Sequence, residues 1–171
     1  MNKKAFIVIG PESSGTRVMT EIFIKSGCSG DFGHQQYFDE TPPSSEKLVV
    51  WRRSIPHAKV KEPDIKKMYN KLVEEKYDVT VIVTTRDMSC MIKSQINAPH
   101  ILSEEEGIKN ISDAYLFIFS LINELKVKYY VVSYESLILH QESTINYLSS
   151  LIGISLSPIE FRNENIKWNN T

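Results

Sequence analysis

Cysteine is scarce in this chain: two residues, Cys28 and Cys90, in 171. They form no CxxC pair and no cluster with the four histidines, which argues against a zinc site. A chain of this length buries roughly 70% of its unfolded surface, so it needs neither disulfide nor metal to fold. No apolar run approaches the ~18–20 residues needed to span a bilayer. The opening Met-Asn-Lys-Lys and the short apolar run at 5–9 do not make a secretory leader. Neither sign of charge dominates: 20 basic and 21 acidic residues leave a net charge of −1. That balance excludes a general binder of nucleic acid or of anionic membranes, while a local basic cluster can still hold an anion. Hydrophobic residues at 42% and charged residues at 24% exclude wholesale disorder and a fibrous chain. No repeat or break in composition divides the sequence, so residues 1–171 read as one domain. The expectation is a soluble, cytoplasmic protein, in which the sequons at Asn110 and Asn169 have no role.

What is present is an alternation. Runs rich in β-branched and aromatic residues at 5–9, 47–51, 79–85 and 128–133 read as strands. Three of them are continuously apolar, the mark of strands covered on both faces. Helical patterns lie at 16–26, 64–76, 89–97, 111–126 and 143–152, with Gly27 and Gly153 placed as C-terminal stops. Strands alternating with helices predict a three-layer α/β/α domain on a mainly parallel sheet of four to five strands. Two segments break the rhythm, 28–46 and 99–110, and loops of that length in compact domains are often functional. The second holds Ser103-Glu-Glu-Glu106, a capping box that starts a short or lid-like helix. Both are read as walls of a substrate pocket.

After the first strand comes Gly10-Pro-Glu-Ser-Ser-Gly-Thr-Arg17, followed by a helix. A strand, a glycine-bearing loop and a helix together turn backbone N–H groups toward a phosphate or sulfate. Gly10 and Gly15 permit positive φ and close approach of the anion, Ser13, Ser14 and Thr16 add hydroxyls, and Arg17 supplies a positive charge. The G-x-x-x-x-G spacing matches a Walker A loop, but Thr16-Arg17 stands where the lysine and hydroxyl of an NTPase belong. An ordinary strand–helix turn with small polar residues is the plain alternative. The strand at 79–85 runs into Arg86-Asp87 and a helix carrying Ser94. An arginine at a strand's C-terminal end sits where open parallel sheets bind ligands. With a serine two turns on, it can clamp a second phosphate, although Arg-Asp at a strand end is also a common structural pair.

These segments, in this order, resemble the sulfotransferases that use 3′-phosphoadenosine 5′-phosphosulfate, and in particular their small bacterial and phage members. Glu12-Ser-Ser-Gly-Thr16 is similar to the family's 5′-phosphosulfate loop, and Arg86 with Ser94 repeats its Arg-x(7)-Ser spacing for the 3′-phosphate. Val132-Ser-Tyr-Glu-Ser-Leu137, Leu151-Ile-Gly153 and the tail Asn163-Glu-Asn-Ile-Lys-Trp168 continue the likeness. The resemblance implies a fold like that of P-loop nucleoside triphosphate hydrolases. It also implies transfer of a sulfuryl group to a hydroxyl or amine of a small-molecule or glycan acceptor. The phosphoadenosine donor would be the cosubstrate, with no metal required and no nucleic-acid or membrane partner. Ser13, Ser14, Gly15, Thr16, Arg17, Arg86 and Ser94 would bind that donor. The sequence departs from the family at Ser13, where a basic residue is usual; Arg17 is the candidate to replace its catalytic charge. A small-molecule or nucleoside kinase with a divergent loop, and a non-catalytic nucleotide-binding relative, remain as alternatives.

The segment from Trp51 to Lys61 gathers Arg52, Arg53, Lys59 and Lys61 around His57 without an acid. Such a run is often a solvated surface, but at the C-terminal edge of a parallel sheet it faces the anion-binding end. A hydroxyl acceptor needs a base, and histidine suits neutral pH. His57 is preferred, His34 in the long loop is second, and a carboxylate such as Glu62 is the alternative. His100 and His140 read as surface residues, Tyr134 and Glu135 as structural, and Trp168 as either an adenine platform or an apolar plug. Acceptor identity and oligomeric state are not written in the sequence.

Overall fold

A computed structural model describes residues 3–30, 46–55 and 64–169. Five strands form one all-parallel sheet in the order β2-β3-β1-β4-β5. In chain order they are β1 Lys4–Pro11, β2 Ser29–Gly30, β3 Leu48–Ile55, β4 Asp78–Thr85 and β5 Lys128–Ser133. The helices are α1 Thr16–Lys25, α2 Ile65–Glu74, α3 Met88–Asn97, α4 Glu104–Leu125, α5 Tyr134–Leu139, α6 Gln141–Ile152 and α7 Ile166–Asn169. The expected α/β/α architecture is the one observed.

Alternation along the strands builds two cores. Ala5, Ile7 and Ile9 of β1 face Met68 and Leu72 of α2 and Ile118 and Leu121 of α4. Phe6 and Val8 face Met19, Ile22 and Phe23 of α1 and Ile145 and Leu148 of α6. Because both faces are covered, the strands read as unbroken apolar runs rather than as alternating ones. Gly27 ends α1 with φ +95, the left-handed stop expected of it. At the end of α6, Lys4 Nζ donates to the Ile152 carbonyl at 2.6 Å, a cation placed on the negative pole of the helix.

β1, β3 and the helix after Ser103 run longer than their sequence patterns. β3 continues four residues past Trp51 to Ile55, because β1 continues to Pro11 and its last backbone groups need a partner. Arg52 and Arg53 are therefore strand residues, only 5% and 1% exposed, and not a solvated basic run. The Ser103 cap forms, with Ser103 Oγ accepting from the Glu106 N–H, but the Glu106 carboxylate reaches past Ser103 and accepts from the Leu102 N–H, so the expected box closes one residue early. The helix it starts is no separate lid, however. It continues unbroken for 22 residues through Leu125. Gly107 lets its first turns settle against Ile92 and Ile101, where a Cβ would crowd both side chains.

β1 occupies the middle of the sheet. The chain leaves it toward β2 and β3 on one side and later returns to add β4 and β5 on the other. The C-terminal ends of β1 and β4 thus flank the point where strand order reverses, the customary crevice of open parallel sheets.

Candidate functional site

The turn Pro11–Gly15 leaves β1 at that crevice, and its conformation is specified from several directions. Ser13 and Gly15 both take positive φ, +67 and +98. The Ser14 N–H closes the turn onto the Pro11 carbonyl at 3.1 Å. Ser14 is fully buried and its hydroxyl pairs with Thr84 Oγ1 of β4 at 2.7 Å. Gly10 lies beneath that pair, where any Cβ would overlap both hydroxyls and stand 2.8 Å from the Thr84 carbonyl oxygen. Thr16 is buried and its hydroxyl meets Ser54 Oγ of β3 at 3.2 Å. Gly15 is packed against the ring of Tyr134, which a side chain there would strike.

The turn opens directly into α1, whose N-cap Gly15 supplies no side-chain acceptor. Helices α2, α3 and α4 cap themselves with Asp64, Asp87 and Ser103. The first-turn N–H groups of α1 therefore lack the partner its neighbours possess. The first turn also carries no acidic residue, and Arg17, exposed, adds positive charge to an already positive pole. That arrangement is unfavourable for an isolated helix and favourable beside an anion.

Arg86 follows β4 immediately and reaches the turn. Its Nη1 donates to the Ser13 carbonyl at 3.0 Å and its Nε to Asn165 Oδ1 at 2.7 Å. Its guanidinium lies over the Tyr134 ring, 4.7 Å from the centroid. Nη2 is buried and has no hydrogen-bond partner among the described residues. Asn165, itself buried, donates to Glu135 Oε1 at 3.0 Å, and that oxygen also accepts from the Asp87 N–H. The second Glu135 oxygen accepts from Ser133 Oγ at 2.8 Å. Burial alone raises the Glu135 proton affinity, but the Asp87 N–H, Asn165 and Ser133 donors outweigh it and hold the carboxyl below its ordinary 4.5. Tyr115 of α4 donates to the Thr84 carbonyl at 3.3 Å, and burial, with the nearby Glu135 charge, pushes its phenol up to about 12.

The structure brings Ser13, Ser14, Gly15, Thr16 and Arg17 together in one turn, with Arg86 against it. Ser94 is half-buried on α3, and its hydroxyl makes no hydrogen bond among the described residues. The next residue, Gln95, is buried and donates from Nε2 to the Glu12 carbonyl at 2.8 Å, so α3 holds the turn through the amide. His57, His34, Glu62, Lys59 and Lys61 lie outside the described residues, as does most of the 28–46 loop. His140 is exposed, in keeping with its sequence reading, whereas His100 is half-buried. Its Nδ1 sits 2.8 Å from Glu12 Oε2, at ion-pair distance but without hydrogen-bond alignment. The reason is the chain's path: the His100 N–H closes the end of α3 onto the Gln95 carbonyl, which carries the ring to the turn.

Sequence reasoning missed Thr84, Gln95, His100 and Asn165 as partners of the turn. Only Asn165 had a visible signal, in the tail that packs back over the site. There Tyr134 Oη donates to the Arg162 carbonyl and accepts from the Glu164 N–H, while Lys93 donates to the Trp168 carbonyl. Lys167 pairs with Glu164. Among the described residues no helix is long and apolar enough to cross a membrane. No protein-family model matches the chain, and no curated protein matches it.

Proposed function

We propose that the chain is a sulfotransferase that moves a sulfuryl group from 3′-phosphoadenosine 5′-phosphosulfate to a hydroxyl or amine acceptor. The observation that carries this reading is the Arg86 guanidinium, lodged against the Pro11–Gly15 turn with one buried nitrogen that has no acceptor among the described residues. A phosphate oxygen is the acceptor that such a nitrogen lacks. Beside it stand the uncapped first turn of α1 and the exposed Arg17. Two anion-binding elements at adjacent strand tips suit a nucleotide phosphorylated at two places.

In this reading the Ser13–Arg17 backbone and hydroxyls hold the 5′-phosphosulfate, and Arg86 with Ser94 holds the 3′-phosphate. Arg17 replaces the basic residue that Ser13 does not provide and neutralises the charge that grows on the departing phosphate. The acceptor must give up its proton as sulfur is transferred. His57 and His34 remain candidates for that step, and His100 joins them. Its ring lies beside the Glu12 carboxylate, Nδ1 2.8 Å from Oε2, which places an imidazole next to the turn.

Calorimetric titration with 3′-phosphoadenosine 5′-phosphate, 5′-AMP and ATP tests the assignment. The expected result is clear preference for the bisphosphate. Preference for ATP, with magnesium-dependent turnover, would instead favour a kinase, and no binding to any of the three removes the reading altogether. Binding of the bisphosphate without transfer to a broad panel of acceptors marks a non-catalytic relative.

A further inference from the structure

We propose that the chain self-associates: the free edge of β5 and the adjoining apolar face of α4 form a two-fold interface with a second copy of the chain. This proposal does not rest on the functional reading above. It starts from the sheet, which ends at β5; that strand pairs with β4 alone among the described residues. β5 is six residues long, and its side chains on the α4 side are left in the open, Tyr129 44% and Val131 51% exposed.

The apolar surface does not stop at the strand. Phe119 of α4 meets Tyr129 edge-on, with ring centroids 6.0 Å apart, and Tyr115 stacks on Phe119 at 6.4 Å. From there a shallow groove runs along α4 past Leu116, which is 68% exposed. Tyr129, Val131, Phe119 and Leu116, 39–68% exposed, together present up to about 400 Å² of mainly apolar area, taking ~200 Å² for a whole large side chain. A standard interface takes ~800 Å² from each partner and is ~56–65% apolar, so this strip comes close to what the centre of a homodimer requires.

Charge favours a second copy over a charged partner. The groove is completed by Ser112, Ser120 and Asn123, and none of its residues is ionisable below the range of tyrosine. An isologous contact sets the same patch of each copy against the other, residue i meeting j and j meeting i, so a patch without charge meets no charge across the axis. Edge strands are often guarded by lysine. Here the one candidate, Lys128, is drawn to the other face, over the Tyr130 ring at 5.3 Å and toward the Leu151 carbonyl at 3.3 Å. The ion pairs on α4, Lys109–Asp113 and Glu124 with Lys66, use residues outside the groove lining, in keeping with a polar rim. Antiparallel pairing of β5 with its copy would satisfy both edges and bring the two Phe119–Tyr129 pairs together over the joined strands.

Analytical ultracentrifugation of the full chain, from about 1 to 100 μM, reads the association directly. The wild-type chain is expected to be dimeric within that range. Val131→Lys on the strand and Leu116→Glu on the helix should each weaken the dimer at least about tenfold while the far-ultraviolet circular dichroism is unchanged. Both positions face solvent, and they lie on different elements, so a folding defect in one leaves the other as the test. A wild-type chain that is still monomeric at about 100 μM overturns the proposal, whatever else docks on that face. A dimer weakened by neither substitution overturns it equally.

Discussion

Arg86→Ala tests the central feature of the site in two independent ways. The side chain is committed inside the protein: one bond to a carbonyl of the turn, one to a buried amide, and a face against Tyr134. Hydrogen bonds from a charged donor contribute about 1.5–3 kcal/mol each, and half-burial places these at the lower end. The contact with the aromatic face adds about 0.5–1 kcal/mol. Truncation also strands Asn165 Oδ1, which is buried and has no other donor among the described residues. Removal of the buried, unpartnered Nη2 offsets part of these costs, and the expected net loss of stability is about 3 kcal/mol. With a urea slope of about 2 kcal/mol/M for a domain of this size, the unfolding midpoint should fall by about 1.5 M. Arg86→Lys should recover less than half of that, because an ammonium lacks the planar fork. A double-mutant cycle with Asn165→Ala should show coupling of about 1–2 kcal/mol. In titrations, Arg86→Ala should also weaken the bisphosphate by about 1.5–3 kcal/mol, the scale of one charge-assisted bond, while leaving 5′-AMP nearly unaffected. A midpoint shift below about 0.3 M, or an additive cycle, would refute the account of Arg86 as a clamp on the turn. Equal weakening of both nucleotides would refute its role toward the second phosphate and leave the clamp intact.

Three further outcomes follow from the same geometry. Gly10→Ala should destabilise the domain by about 2–3 kcal/mol in the same urea assay, because the added methyl meets a backbone oxygen as well as two hydroxyls. Relieving the hydroxyls with Thr84→Ala should therefore rescue it only in part. Glu135 titrates below its unfolded value, so its contribution is present above about pH 4.5 and is lost as pH falls through the lower folded value. Acid unfolding of Glu135→Gln should accordingly be shallower than that of the wild type below pH 4.5, with the two curves parallel above it. Burial pushes the Cys28 thiol up to about 11, and burial with the Asp87 carboxylate beside it raises Cys90 as well. Both thiols should resist a disulfide reagent at pH 8 and react together at the rate of global unfolding. Rapid labelling of either in the native protein would show that its element opens locally.

Much of the scaffold is written locally in the chain. The four long strands were visible because strands covered on both faces must be apolar throughout, and Gly27 and Gly153 mark helix ends because few residues accept positive φ. The turn after β1 was legible for the same kind of reason: its glycines, hydroxyls and following helix are neighbours in sequence. Local pattern failed where pairing decided the outcome. Arg52 and Arg53 look like surface residues in isolation, yet β1 extends beside them and draws them into the sheet, and their burial cannot be read from a window of sequence. The two short helical signals on either side of residue 110 became one helix because the packing of Gly107 against Ile92 and Ile101 favours continuity.

The sequence alone determined the alternation of strand and helix, the parallel sheet, and the place of the glycine turn, since each depends on residue types a few positions apart. Tertiary structure decided which side chains meet that turn. Thr84, Arg86, Gln95, His100 and Asn165 come from four separate stretches, the last more than 150 residues from Gly10, and nothing in their local patterns says they converge. Convergence is fixed by strand order, which places β4 beside β1 and carries the loops and tail that follow it to the same edge. Strand order is a long-range choice, set by how the two apolar faces are best covered at once.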